Sequence, residues 1–335
     1  MASLGWHTNA WRDGAKASVL AAPGPLLILN TALDTGIVAG WRAKTPARLL
    51  YRHVYQGSDP GDHDVQGRCD LLSREAEPLL PFGVVVLAPW NEERQDTSLL
   101  SAYADDTVRA VNILRSRGFK VGVGNFGVCW PKPEDAHLFL PAIRVADFYS
   151  RHAYAAPTLT SEWDRLIGHA YADAQTVFTA TGKTTEMTEF GIDWGVLGFT
   201  LDGWRSHGGI PATDYAYQLA GQAARAPACI DTLYIYCCGQ FGDWKTFDVA
   251  GETEIEKAVR LFSAQWGGDP MPLAEQFPKE YAAWVAAGGL DNNFLPHLIG
   301  IGAVKPTLGH IPLLIGNVAA AAKTLEAAYP KAKAG

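Results

Sequence analysis

Gly83-Val-Val-Val-Leu-Ala-Pro-Trp90-Asn91-Glu92 and Lys183-Thr-Thr-Glu-Met-Thr-Glu189-Phe-Gly191 read alike: each is a short β-type run whose end carries a glutamate. Apolar and β-branched runs of this length, bounded by Gly and Pro, are the pattern of strands buried on both faces. Six further runs of the kind lie at Leu4–Asn9, Leu26–Asn30, Arg48–Tyr55, Lys120–Asn125, Asp147–His152 and Asp231–Tyr236. Between them fall longer amphipathic segments: Trp11–Ala21, Thr35–Lys44, Val65–Leu79, Ser98–Arg117, Pro133–Arg144, Ser161–Thr181 and Ala212–Ala226, with an eighth at Glu252–Gln265. Strands alternating with helices argue for a parallel sheet, and eight β-α units in about 265 residues have the size of a (β/α)8 TIM barrel.

Local signals agree with these boundaries. Asp105 and Asp106 lie early in the fourth helix and Arg115 and Arg117 at its end, the charge order that a helix dipole favours. Gly118 follows where a C-terminal glycine cap belongs. Ser161-Glu-Trp-Asp164 has the form of a capping signal opening the sixth helix. The rhythm changes near Gly267, so residues 1–266 are expected to form the barrel and 267–335 a C-terminal helical extension. Six prolines from Pro270 to Pro312 punctuate that extension, and Leu313–Ala328 is Ala- and Leu-rich with a helical pattern. The expected role is packing on the barrel or homo-oligomer formation, with docking of a partner as the alternative.

The composition narrows the function. A chain of 335 residues that is 48% hydrophobic and 19% charged can bury a barrel-sized core, and a net charge of −7 with scattered Lys and Arg leaves no basic footprint for nucleic acid. The five cysteines are odd in number and lack C-x-x-C spacing, which argues against a disulfide framework or a zinc site. No basic-then-apolar start and no uninterrupted membrane-length apolar stretch is seen; the expectation is no secretory signal and no membrane span, leaving localisation open. Eleven Trp, 12 Tyr and 13 Phe are many for this length; barrel and helix packing is the expected place of most of these rings, and some are expected to line a groove suited to the apolar faces of sugars.

In a parallel barrel the active site forms at the C-terminal strand ends, where Glu92 and Glu189 both fall. One such acid can protonate a leaving oxygen while the other attacks a sugar carbon, as double-displacement hydrolysis of a glycosidic bond requires. Glu93 follows Glu92 directly, and only one of them can aim inward. Strict alternation puts Thr185 and Met187 on the face of Glu189 and Glu186 on the opposite one. By the same rule, at most one of Arg52 and His53 faces the lumen.

Here the chain resembles the retaining glycoside hydrolases of clan GH-A, the 4/7 superfamily. In that clan an acid/base Glu follows Asn at the end of strand four, and a nucleophilic Glu ends strand seven within T-E-F/W-G. Asn91-Glu92 and Thr188-Glu189-Phe190-Gly191 match on strands four and seven. The resemblance implies Glu92 as acid/base, Glu189 as nucleophile and Asn91 as the partner of the sugar 2-hydroxyl. His152-Ala-Tyr154 looks like the clan's H-x-Y, with Tyr154 bonding the nucleophile; a packed aromatic beside a core histidine is the alternative. Arg52 resembles the arginine that clan members place beneath the nucleophile. Trp244, after strand eight, is the candidate floor of the sugar subsite, with Trp90, Trp130 and Trp194 as other strand-end rings. Tyr236-Cys237-Cys238 departs from the clan's aromatic-rich run and leaves the central platform open.

A carbohydrate substrate is thus the expected partner, and no cofactor is called for. Asp59-Pro-Gly-Asp62-His63-Asp64 could offer oxygen ligands to a cation, but reads better as an ordinary turn. Two competing functions are an inactive carbohydrate-binding barrel and a metal-dependent hydrolase using His7, His53, His63 or His152.

Overall fold

The computed structural model describes residues 2–263 except 13, 55–63, 93–95, 133, 161–163, 200–201 and 240–241. Eight strands form it: β1 (Ser3–Thr8), β2 (Leu26–Leu29), β3 (Leu49–Arg52), β4 (Val84–Leu87), β5 (Lys120–Phe126), β6 (Phe148–Ala155), β7 (Thr185–Ile192) and β8 (Ile230–Cys238). They close in sequence order into one barrel, with β8 returning to pair with β1, all parallel. The helices are α1 (Ala15–Ala21), α2 (Thr35–Arg42), α3 (Val65–Ala76), α4 (Leu100–Ser116), α5 (Leu140–Val145), α6 (Asp164–Thr181), α7 (Ala212–Arg225) and α8 (Thr253–Ser263). This is the (β/α)8 barrel expected from the alternation.

Two apolar layers hold it. Outward-facing strand residues such as Leu4, Trp6, Ile28, Tyr51, Val86, Val123 and Ile235 pack under the helices in one continuous cluster. A smaller cluster, Leu27, Leu29, Leu50, Val85, Leu87, Phe148 and Tyr234, fills the lumen. Large and small residues alternate across the lumen. A Cβ on Gly122 would meet the Phe148 ring at 2.3 Å, and one on Gly5 would lie 3.1 Å from Tyr234. Glycine at those strand positions is therefore what admits the two rings.

Caps set several boundaries. Asp34 accepts from the Ile37 N–H at 3.0 Å to start α2, and Asp64 accepts from Gly67 at 2.8 Å to start α3. Gly118, with φ +90°, donates to the Arg115 carbonyl at 2.9 Å and ends α4 as expected. Helix α1 is shorter than its amphipathic pattern because Gly14 takes a left-handed φ of +92°. Helix α5 is shorter too: a 3₁₀ turn, Ala136–Phe139, precedes it, and Pro141 sits in its first turn, where its missing N–H costs nothing. The expected capping residues 161–163 and the extension 267–335 lie outside the described residues. No helix among the described residues is long and apolar enough to cross a membrane.

Strands β6 and β7 run farther than expected, to Ala155 and Ile192, and β7 carries a β-bulge. Arg151 pairs with Met187 and His152 with Glu189, so Thr188 is an extra residue. Alternation is thereby reset. Met187 packs outward among the helices, whereas Glu186 is fully buried beside the lumen residue Tyr234 and bonded to Arg48. Glu186 and Glu189 consequently share the lumen side, against the expectation that they lie on opposite faces.

Candidate active site

Six expected residues converge at the C-terminal mouth of the barrel: Arg52, Asn91, Glu92, His152, Tyr154 and Glu189. Glu189, 12% exposed, is held from three directions. Arg52 Nη2 lies 2.5 Å from its Oε1, the Tyr154 hydroxyl donates to its Oε2 at 2.7 Å, and His152 Nδ1 lies 3.4 Å from Oε2. Burial by itself would raise the pKa of this carboxyl. The neighbouring His152, the Arg52 guanidinium and His7, with the Tyr154 hydrogen bond, outweigh it and hold Glu189 well below the usual carboxylate range.

Glu92 is more open, its side chain 40% exposed. It sits just past β4 with φ +57°, a conformation anchored by its backbone N–H to the Asn125 carbonyl at 3.2 Å. Asn125 also has a positive φ, and its amide donates to the Trp90 carbonyl at 3.0 Å, so the β4 and β5 ends brace each other.

His152 joins the two acids. Its Nδ1 lies 2.6 Å from Glu92 Oε1. Its Nε2 receives Arg52 Nη1 at 3.2 Å, and because a guanidinium only donates, the ring proton belongs on Nδ1, facing the carboxylates. Since Nδ1 contacts Glu92 Oε1 at 2.6 Å and Glu189 Oε2 at 3.4 Å, those oxygens are no farther apart than the sum of the two, 6.0 Å. Arg52 also donates to Asn91 Oδ1 at 2.9 Å, which leaves the Asn91 amide nitrogen as the free end of that side chain. His53 turns the other way, to Glu75 of α3 at 2.5 Å, as alternation requires. His53 is thereby parted from His152, and among the described residues no three His, Cys, Asp or Glu side chains are grouped to hold a metal ion.

The four candidate tryptophans part company. Trp244 is 40% exposed and meets Tyr236 edge-on at 6.0 Å. Trp194 is half-buried at the mouth beyond β7, against His207 at 4.6 Å and Phe199 at 6.0 Å. Trp130 packs half-buried against the outer layer, and its carbonyl accepts from Arg151. Trp90 is corrected outright. It is 2% exposed and packs edge-on against Tyr103 of α4 at 5.6 Å, so it belongs to the layer beneath the helices and offers no face to a ligand. Glu93 and the segment from Asp59 to His63 lie outside the described residues.

Three residues of the mouth were not singled out for this site. Tyr236 of β8, 9% exposed, stands between His7 at 4.9 Å, Tyr154 at 6.1 Å and Trp244, at the position whose aromatic identity the sequence left open. Asp193, beyond β7, is pushed up to about 6 by burial and the charges of Glu189, Glu92 and Asp202, against a hydrogen bond from the Gly195 N–H. His7 of β1 lies fully buried below Glu189; the signal that could have found it is that His7, like Gly5 and Asn9, falls on the inward set of β1.

No family model matches the sequence, and no curated relative matches it either. Among solved structures, the chain is similar to a GH5-4 broad specificity endoglucanase from Clostridum cellulovorans, with TM-score 0.50 and 12% identity over 77% of this chain and 93% of that one. A GH5-4 broad specificity endoglucanase from an uncultured bacterium gives TM-score 0.48 and 12% identity, over 79% and 94% of the two chains. A β-mannanase from Thermomonospora fusca gives 0.48 and 15%, over 74% and 82%. At 12% identity the likeness to the first of these speaks for the barrel fold alone.

Proposed function

We propose that this protein is a glycoside hydrolase that cleaves a β-linked glycan with retention of anomeric configuration. The observation that carries the reading is the pair of carboxylates joined through His152, their nearest oxygens at most 6.0 Å apart. Inverting enzymes need about 6.5 to 9.5 Å to admit a water between the acids, whereas retaining ones use about 5 to 5.5 Å.

The environments divide the labour. Glu189 is kept ionised by Arg52 and Tyr154 and is almost closed to solvent, as a nucleophile needs to be. Glu92, open to the cleft, is placed to exchange protons with a leaving group and then with water. In the first step Glu189 attacks the anomeric carbon as Glu92 gives its proton to the departing oxygen. In the second, Glu92 takes a proton from water, which displaces Glu189 and releases the sugar. Asn91, its oxygen occupied by Arg52, points its amide donor at the 2-hydroxyl, a bond that strengthens as positive charge develops on the ring. Tyr236 and Trp244 supply the ring faces beneath the sugar, and Trp194 extends the wall.

The test is the anomer released first from an aryl β-glycoside, followed by NMR. The β-anomer is expected, and prompt appearance of the α-anomer would overturn the retaining assignment. Glu92→Ala is expected to lose roughly 10² to 10⁴-fold on a natural glycan and far less on a dinitrophenyl glycoside, whose leaving group needs no proton. Equal losses on both substrates would remove Glu92 from the acid role.

A further inference from the structure

The bulge that brings Glu189 into the site has its own support. On the β6 side Thr188 is the extra residue between Met187 and Glu189. On the β8 side the pairing jumps from Met187 with Leu233 to Phe190 with Ile235, so Thr188 and Glu189 together oppose Tyr234. A carbonyl displaced from the ladder inside a barrel needs another donor. That donor comes from β1, which is separated from β7 by β8: His7 Nδ1 lies 2.9 Å from the Thr188 carbonyl oxygen. Because a carbonyl only accepts, the His7 proton resides on Nδ1. The ring is fully buried and fixed edge-on by Tyr236, at an interplanar angle of 85°. Among the described residues its Nε2 makes no hydrogen bond, so Nδ1 carries the polar connection.

We propose that His7 is a positioning residue: its Nδ1–H pins the Thr188 carbonyl and so holds the β7 bulge in the register that aims Glu189 at the substrate. The inference rests on the reading of Glu189 as nucleophile. His7 acts through the bulge and touches no substrate. Burial and the neighbouring Arg52 guanidinium lower its pKa to about 3, so the ring stays neutral, with one N–H to give, at any working pH above that. Without it, alternation from Glu186 would turn position 189 outward.

Three substitutions separate this role from simple packing. His7→Asn keeps an amide N–H where Nδ1 stands, His7→Gln moves it to the place of Nε2, and His7→Phe keeps the ring without a donor. On an aryl β-glycoside, His7→Phe is expected to lower kcat by about 10²-fold, the scale of a 1 Å misplacement, with KM little changed. His7→Asn recovers at least about tenfold of that loss and His7→Gln does not. Equal kcat for the Asn and Gln variants overturns the proposal, and that pair decides it even if the Phe variant fails to fold. Should the wild type hydrolyse no glycoside, the catalytic reading falls, and crystal structures of the two variants still judge the bulge. Glu189 parted from Arg52 and Tyr154 in His7→Gln alone supports the proposal, and identical Glu189 positions in both reject it.

Discussion

Strand β7 carries two glutamates on the lumen side of one barrel, three residues apart, and they are opposites. Glu186, near the start of the strand, is fully buried; it bonds Arg48, lies near Asp231, and its pKa is pushed up to about 7 by burial, despite the guanidinium. Glu189, at the open end, has its pKa driven down by His152, Arg52 and His7, together with the Tyr154 hydroxyl. Each has an arginine from the β3 region, so the partner alone does not set the state. What differs is the number of donors set against burial, and the Asp231 carboxylate, which adds to the cost of ionising Glu186. A buried carboxyl with one arginine and a like charge beside it can take a proton, whereas one met by several donors stays an anion.

The strongest test of that contrast exchanges each glutamate for its amide. Glu189→Gln is expected to lower turnover on the order of 10⁴-fold or more while the fold persists, as for other nucleophiles that work as part of a unit. Glu186→Gln is expected to leave turnover within about threefold, since no reacting atom is touched. Comparable losses in the two kinetic assays would mean that Glu186 belongs to the site.

Exchanging the arginines comes next in size. Arg52→Met removes a charge that favours ionised Glu189, so turnover falls by about 10²-fold and the acid limb of kcat/KM moves to higher pH. Arg48→Met strands Glu186 instead. At pH 8 this is expected to cost about 3 kcal/mol in urea unfolding, and less at pH 5, where Glu186 takes up a proton. A cost independent of pH would show that Glu186 is not the group responding.

A finer test uses the sign of the Glu186 shift. Its folded pKa, about 7, lies above the ordinary 4.5, so the stability it contributes is complete below pH 4.5 and is lost as pH rises through 7. Unfolding free energies measured from pH 4.5 to 8 are expected to fall more steeply for wild type than for Glu186→Gln. Asp193→Asn should give the smallest change. Its pKa, raised to about 6, makes the ionised form costly above that pH, so the amide gains about 1 kcal/mol at pH 8 and nothing near pH 4. A gain of the same size at both pH values would assign the effect to packing.

Much of this was legible because both faces of a parallel barrel strand are buried. Runs such as Val84–Leu87 must be apolar throughout, and the helices between them must be amphipathic, so the eight units stand out. Polar residues at the ends of such runs are conspicuous for the same reason, and Asn91, Glu92 and Glu189 could be picked out. Arg52 and His53 were separated by alternation, and the structure sends them to opposite sides. Alternation failed at Thr188, because one inserted residue reverses every later assignment and nothing in Lys183–Gly191 marks the insertion. Trp90 was misjudged by proximity to Glu92: nearness along the chain does not say toward which layer a ring turns.

The order of strands and helices and the strand-end place of the two acids follow from the sequence alone, since burial and chain direction act on consecutive residues and leave a period that can be counted; their neighbouring Asn, His and Tyr were picked out by the resemblance. The aim of Glu189, the depressed pKa of its carboxyl, the place of His7 and Tyr236 and the separation of the acids were decided only by the closed barrel. They depend on contacts among β1, β3, β6, β7 and β8, and electrostatic and hydrogen-bond energies follow distance in space, which no spacing in the chain encodes.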